Sequence, residues 1–90
     1  MNDELDKWRK QIDELDEKVL NLLVKRSKIV KKIGQFKKRQ NISPLDKNRW
    51  NKVLTSMLSK GNELGLSKDF VKKLYDLIHE YSIKIQKEST

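Results

Sequence analysis

Two cations interrupt an apolar pattern of helical period near the middle of the chain. In VLNLLVKRSKIVKKIGQFKK, from Val19 to Lys38, apolar residues recur every three or four positions, but Arg26 and Lys37 occupy positions in these rows. Eleven residues at about 100° each bring the two side chains to within about 20° of one face, roughly 16 Å apart along the axis. Because an unpaired charge in a buried row costs several kcal/mol, each must meet an anion or water. The spacing therefore predicts a shared volume that attracts anions.

Two later segments carry polar residues at spacings that match this volume. Asp46 and Arg49 are three apart at the start of one predicted helix, and Ser82 and Gln86 are four apart in an otherwise apolar row of another. Residues three or four apart share a helix face. Together with the two cations of the first segment, they predict a compact pocket for a small dianion.

Arg9 is placed differently from the other candidates. It lies 17 residues, about 25 Å, from Arg26 on the same predicted helix and is rotated by about 100°. The two arginines therefore cannot bind one small ligand from a single chain. In an antiparallel dimer, the partner's Arg9 would reach the volume that Arg26 faces.

Each of these residues also has a purely structural interpretation. An arginine in an apolar row often fixes helix register, and a lysine near a helix end interacts with the helix dipole. A serine can bond back to its own helix, and an aspartate can cap one. These alternatives stay open for Arg26, Lys37, Ser82 and Asp46 taken singly. Their joint placement on matching faces favours the pocket.

The elements that must position these residues are predicted to be α-helices. The chain has three glycines, one proline and no sustained alternation of β-branched residues, which predicts an all-α fold. The first of three helices runs from about Asp3 to Lys38 and would be roughly 50 Å long. A compact domain of 90 residues has a radius of gyration of only about 12 Å. Two shorter helices cannot cover the wide apolar face of the first, so we expect an intertwined homodimer.

The remaining boundaries follow from capping and turn signals. Ser43 is a natural N-cap, with Pro44 at the first helical position, and the second helix should end near Gly61. Gly61 and Gly65 are expected to flank a connecting loop. Ser67 is expected to cap the third helix, which should fray in the final KEST.

Composition and charge exclude several classes of protein and site. No apolar run reaches 18 residues, so no membrane span is expected, and an acidic N-terminus without an apolar core does not resemble a secretion signal. Cysteine is absent and His79 is the sole histidine, so we expect no metal site, a helix-face role for His79 and a cytoplasmic protein. Lys and Arg total 21 against 13 Asp and Glu, a net charge of +8 that favours anionic partners.

Three segments carry a resemblance to a known family. WRKQIDELDEKVLNLLVKRSKIVKKIGQFK, PLDKNRW and LIHEYSIKIQ resemble the all-helical (AroQ-class) chorismate mutases. The likeness covers nearly the whole chain, from about Asp3 to Gln86, and predicts a single helical domain over residues 1–90. It implies a domain-swapped dimer of three-helix chains whose long first helices pair. It also implies the Claisen rearrangement of chorismate to prephenate, without cofactor or metal.

The resemblance further implies a role for each candidate residue. Arg26, and Arg9 donated by the partner, would bind substrate carboxylates. Lys37 and Gln86 would contact the ether oxygen of the breaking bond. Supporting contacts are implied for Arg49 and Ser82 on the carboxylates and for Asp46 near the ring hydroxyl.

One residue departs from the family pattern and keeps alternatives open. Directly after Arg49 the family commonly has a glutamate that accepts a hydrogen bond from the ring hydroxyl, whereas this chain has Trp50, whose indole only donates. An isochorismate-pyruvate lyase of the same fold is one alternative. A basic helical nucleic-acid-binding module or a coiled-coil interaction module is another. The arginines lie in apolar rows rather than on an outer stripe, so we expect no nucleic-acid partner. Asp46, Ser82 and Gln86 together favour the mutase over the lyase.

Overall fold

Residues 3–88 of the chain form three α-helices. The computed structural model describes residues 3–88. In chain order the helices are α1 (Asp3–Arg39), α2 (Lys47–Glu63) and α3 (Lys68–Glu88), and residues 3–88 contain no strand. The all-α prediction is confirmed, and α1 ends one residue later than expected. No helix in this part of the chain is long and apolar enough to cross a membrane.

A left-handed turn ends α1 and directs the chain back toward Lys37. Asn41 has φ 56°, the Ile42 amide donates to the Lys37 carbonyl at 2.8 Å, and the Asn41 amide donates to the Lys38 carbonyl at 3.3 Å. These two bonds make a Schellman motif, in which asparagine takes the place that glycine usually holds. The basic last turn of α1 also suits the negative end of the helix dipole.

The start of α2 differs from the prediction. Asp46, not Ser43, is the N-cap: its Oδ1 accepts from the Arg49 amide at 3.0 Å, and the helix begins at Lys47. Aspartate caps a helix as well as serine does. A Pro44 inside the helix would commit its carbonyl to the helical ladder, whereas that carbonyl instead accepts from Lys37 Nζ at 2.8 Å. This contact with α1 therefore favours the later start.

The end of α2 also corrects an expectation. Gly61 lies inside the helix rather than in a loop, and it is buried because α3 approaches there: a Cβ at this position would lie 2.8 Å from Cγ2 of Val71. Gly65, with φ +83°, ends the helix through a second Schellman turn. Ser67 Oγ accepts from the Phe70 amide at 3.3 Å, which confirms the predicted cap of α3.

The helices form an elongated molecule in which α3 packs against both α1 and α2. The radius of gyration is 16.8 Å and the extents are 60 × 27 × 15 Å, well above the roughly 12 Å of a compact chain of this length. No large side chain among the described residues is fully buried. The first half of α1 leaves a row of apolar side chains more than half exposed: Trp8, Ile12, Leu15, Val19 and Leu22.

Candidate functional site

A cleft of about 160 Å³ lies where the three helices meet. It is lined by residues of the second half of α1, the connector and start of α2, and the second half of α3. Larger open depressions on α3 and between α1 and α3, of about 580 and 620 Å³, contain no arginine. The candidates that the cleft brings together are Arg26, Lys37, Asp46, Arg49, Trp50, Ser82 and Gln86.

Arg26 is oriented by α3. Its Nη1 donates to Ser82 Oγ, and the buried Ser82 hydroxyl donates in turn to the Ile78 carbonyl at 2.8 Å. Ser82 thus does bond back to its own helix, and it uses its oxygen to hold the guanidinium. A guanidinium carries five N–H donors, so most of them remain for an anion. The chain Ile78–Ser82–Arg26 therefore positions a carboxylate-binding group before any ligand arrives.

Lys37 is held by two acceptors from different elements. Its Nζ donates to the Pro44 carbonyl at 2.8 Å and to Gln86 Oε1 at 3.0 Å. An ammonium has three N–H donors, so one remains for a ligand. Because Gln86 accepts through its oxygen, its NH₂ group also remains available as a donor. The two side chains thus offer neighbouring donors to a single oxygen atom in the cleft.

Asp46 and Arg49 bring opposite charges to the α2 side of the cleft. Asp46 caps the helix through Oδ1 and still lines the cleft, and Arg49, exposed like Asp46, lines it as well. A carboxylate has a second oxygen, so capping and ligand binding are compatible. Among the described residues that line the cleft, Asp46 is the only acidic one. The described site is therefore strongly cationic.

His79 is a site residue that sequence reasoning missed. It lines the cleft, and its ring stacks on Trp50 with centroids 4.0 Å apart and planes 14° from parallel. Burial lowers the pKa of His79 below 6.5, the Arg26 cation lowers it further, and Asp76 acts in the opposite direction. The spacing contained a signal: His79 lies three and seven residues before Ser82 and Gln86, on the same helix face.

Arg9 is not brought to the cleft. It is exposed on the first half of α1, whereas the cleft begins at Arg26 on the same helix. This agrees with the separation of about 25 Å that helix geometry requires. Within residues 3–88, no group of three or more His, Cys, Asp or Glu side chains is placed to hold a metal ion.

Comparison with known proteins finds a family and several relatives. The family model for chorismate mutase type II matches residues 8–87. A bifunctional chorismate mutase/prephenate dehydratase from Buchnera aphidicola (subsp. Acyrthosiphon pisum) is 32% identical over 81 residues, which are 90% of this chain but 21% of that protein. The bifunctional enzyme of Aquifex aeolicus is 34% identical over 62 residues, 69% of this chain and 17% of its own length.

A relative of similar length is also found. The chorismate mutase of Methanocaldococcus jannaschii is 25% identical over 88 residues, 98% of this chain and 89% of that protein. The chain thus spans about a fifth of the bifunctional relatives and most of the monofunctional one. With a family match over residues 8–87, the chain belongs to the type II chorismate mutase family.

Proposed function

We propose that this protein is a chorismate mutase, which converts chorismate to prephenate by an intramolecular Claisen rearrangement. The observation that carries the proposal is the convergence of Arg26, Lys37 and Arg49 with Gln86 on one cleft, in a chain of this family. The rearrangement is pericyclic, so it needs neither a nucleophile nor a proton shuttle. It is accelerated by holding the reactive conformer and by stabilising charge that develops on the ether oxygen.

The arginines bind the two carboxylates of the substrate. Arg26 presents its free N–H donors from a position that Ser82 fixes, and Arg49 approaches from α2. Planar guanidinium groups match carboxylates through paired hydrogen bonds. In this geometry Ser82 is a positioning residue, because its hydroxyl proton goes to Ile78. A clamp of this kind brings the enolpyruvyl side chain over the ring.

Lys37 and Gln86 act on the breaking bond. Lys37 donates a hydrogen bond to Gln86 at 3.0 Å, and each of the two side chains still has an N–H donor that this bond does not use. Both donors meet the ether oxygen, on which negative charge grows in the transition state. Since Lys37 is already held by Pro44, little reorganisation is needed at the moment of reaction. Asp46 accepts the hydrogen bond from the ring hydroxyl through its second oxygen.

The functional unit is an intertwined homodimer in which Arg9 of each chain completes the cleft of the other. Two observations support it: Arg9 is remote from the cleft of its own chain, and the apolar row on the first half of α1 is exposed. Exposed apolar surface of this extent is characteristic of an interface. In this proposal residues 1–90 are one domain, and the absence of cysteine fits a cytoplasmic location.

The proposal is tested by adding chorismate to the purified protein and following its loss together with the appearance of prephenate. Turnover is expected with chorismate. Isochorismate in a parallel reaction should release no pyruvate or salicylate. Release of those two products, without prephenate, would assign the cleft to the lyase reaction. Absence of turnover on either substrate by an intact dimer would reject both.

Lys37→Ala provides the matching test of the site. It removes a preorganised donor at the ether oxygen, so kcat should fall by about 10² to 10³. Lys32→Ala, which removes an exposed lysine from the same helix, is the matched control and should keep parental activity. Equal kcat values for the two variants would show that Lys37 does not act on the reaction.

A further inference from the structure

Trp50 and His79 make one wall of the cleft from two different helices. Their rings are 4.0 Å apart and 14° from parallel, and both side chains are half-buried. Stacking at this distance restricts two side chains that would otherwise rotate. The wall is therefore fixed by contact between α2 and α3 rather than by either helix alone.

The wall is aromatic and offers flat surface instead of charge. Asp46 is the only acid among the residues that line the cleft. It can accept one hydroxyl through its second oxygen, so hydrogen bonding to the ligand does not depend on Trp50. The stacked rings instead present a flat surface on which a cyclic ligand packs one face of its ring. Cations elsewhere in the cleft bind the carboxylates of that ligand.

The pKa of His79 responds to burial and to charged residues on α1 and α3. Burial and the Arg26 cation lower the pKa of His79, while Asp76 raises it. The neutral form of the imidazole is therefore favoured at physiological pH. The Arg26 guanidinium remains available to bind the ligand. The other charged groups around His79 are Lys37, Asp46 and Arg49 in the cleft and, in the depression on its outer side, Glu80, Lys84, Lys87 and Glu88.

We propose that His79 is a positioning residue of this site: its imidazole ring holds the Trp50 indole as a flat wall against which the ring of a small cyclic dicarboxylate packs. The identity of that ligand rests on the proposed function, whereas the stack is a property of the protein alone. A fixed wall limits the conformers that a bound ligand adopts, which accelerates an intramolecular reaction. The wall therefore acts mainly on kcat.

The stack is tested first by fluorescence. In a Trp8→Phe background Trp50 is the only tryptophan, and a stacked imidazolium quenches indole emission more strongly than a neutral imidazole. Emission should fall on acidification with a single midpoint below 6.5, the ordinary value for histidine. In His79→Phe the midpoint should be absent. The inference would be overturned if His79→Phe showed the same change in emission with pH, or if the parent showed no such change.

Chorismate kinetics then separate positioning from general structural damage. His79→Ala removes the stack and should lower kcat about tenfold with a smaller change in KM, whereas His79→Phe keeps a stacking ring and should recover most of kcat. The exposed Lys73→Ala on the same helix is the control. Equal losses in His79→Ala and His79→Phe, with equal melting temperatures, would overturn the positioning role.

Failure of the proposed function has a different signature. If the parent protein does not turn over chorismate, an unreactive cyclohexene dicarboxylate replaces it, and its binding is read from Trp50 emission. Binding about tenfold weaker in His79→Ala than in His79→Phe would support the wall without the reaction. Equal binding by the two variants would overturn the wall itself.

Discussion

At the scale of single residues, the cleft shows how cations are fixed before they meet a ligand. Lys37 commits two of its three N–H donors to Pro44 and Gln86, and Arg26 is held through Ser82. Arg26 and Lys37 were recognisable from the sequence because each interrupts an apolar row. The acceptors that hold them come from α3 and from the backbone carbonyl of Pro44, so no spacing along α1 could reveal them.

His79 should make the stability of the protein depend on pH. Its pKa lies below 6.5 in the folded protein, first because of burial and then because of Arg26. The unfolded chain therefore binds a proton before the folded chain does, so the free energy of unfolding should fall as the pH drops from about 6.5 through the folded pKa. Urea unfolding across this range measures the effect, and His79→Phe should lose that part of the slope. If the free energy of unfolding of His79→Phe depends on pH as steeply as that of the parent, the dependence comes from carboxylates instead.

At the scale of helices, patterns within the chain predicted more than contacts between helices did. The periodicity of α1 gave its extent to within one residue, and Ser67 caps α3 as its type and position suggest. Ser43 was a reasonable cap for α2, but the bond between Lys37 and Pro44 keeps this segment outside the helix. The sequence pattern predicts the end of α2 near Gly61, because only the approach of Val71 explains a glycine inside the helix there.

Gly61→Ala should therefore destabilise the protein, although alanine is the better helix former. The added Cβ would lie 2.8 Å from the buried Val71, and overpacking of this kind typically costs about 1 to 3 kcal/mol. Chemical denaturation measures the loss, with Ser59→Ala at an exposed position of α2 as the control. Adding Val71→Ala to Gly61→Ala should restore part of the lost free energy of unfolding, because the two substitutions affect the same contact. If Gly61→Ala stabilised the protein, α2 and α3 would have to lie farther apart at this position than the structure shows.

At the scale of the whole molecule, α1 is much longer than the part of it that α3 covers. At 1.5 Å per residue its 37 residues extend over about 55 Å, and α3 contacts it while its first half remains exposed. Ninety residues with so little buried apolar surface are a marginal folding unit. A second copy that covers the exposed row would supply both stability and the missing arginine.

Leu22→Asp should abolish this association. Leu22 is 63% exposed in the single chain, so a charge there costs little unless the residue is buried in a dimer. We expect loss of the dimer in sedimentation and a marked loss of helical circular dichroism, since obligate dimers often lack a stable folded monomer. Asn21→Asp, on the polar side of the same turn, should leave both signals unchanged. A folded Leu22→Asp monomer with full activity would contradict the proposed dimer.

The most direct test mixes two variants that are each expected to be nearly inactive, Arg9→Ala and Lys37→Ala. If Arg9 acts in the partner's cleft, each mixed dimer contains one site with both residues intact. Random exchange of subunits makes about half of the dimers mixed, so chorismate turnover should return to about one quarter of the parental rate. If mixed dimers form, as native mass spectrometry can establish, but the activity stays at that of the separate variants, the shared site is contradicted.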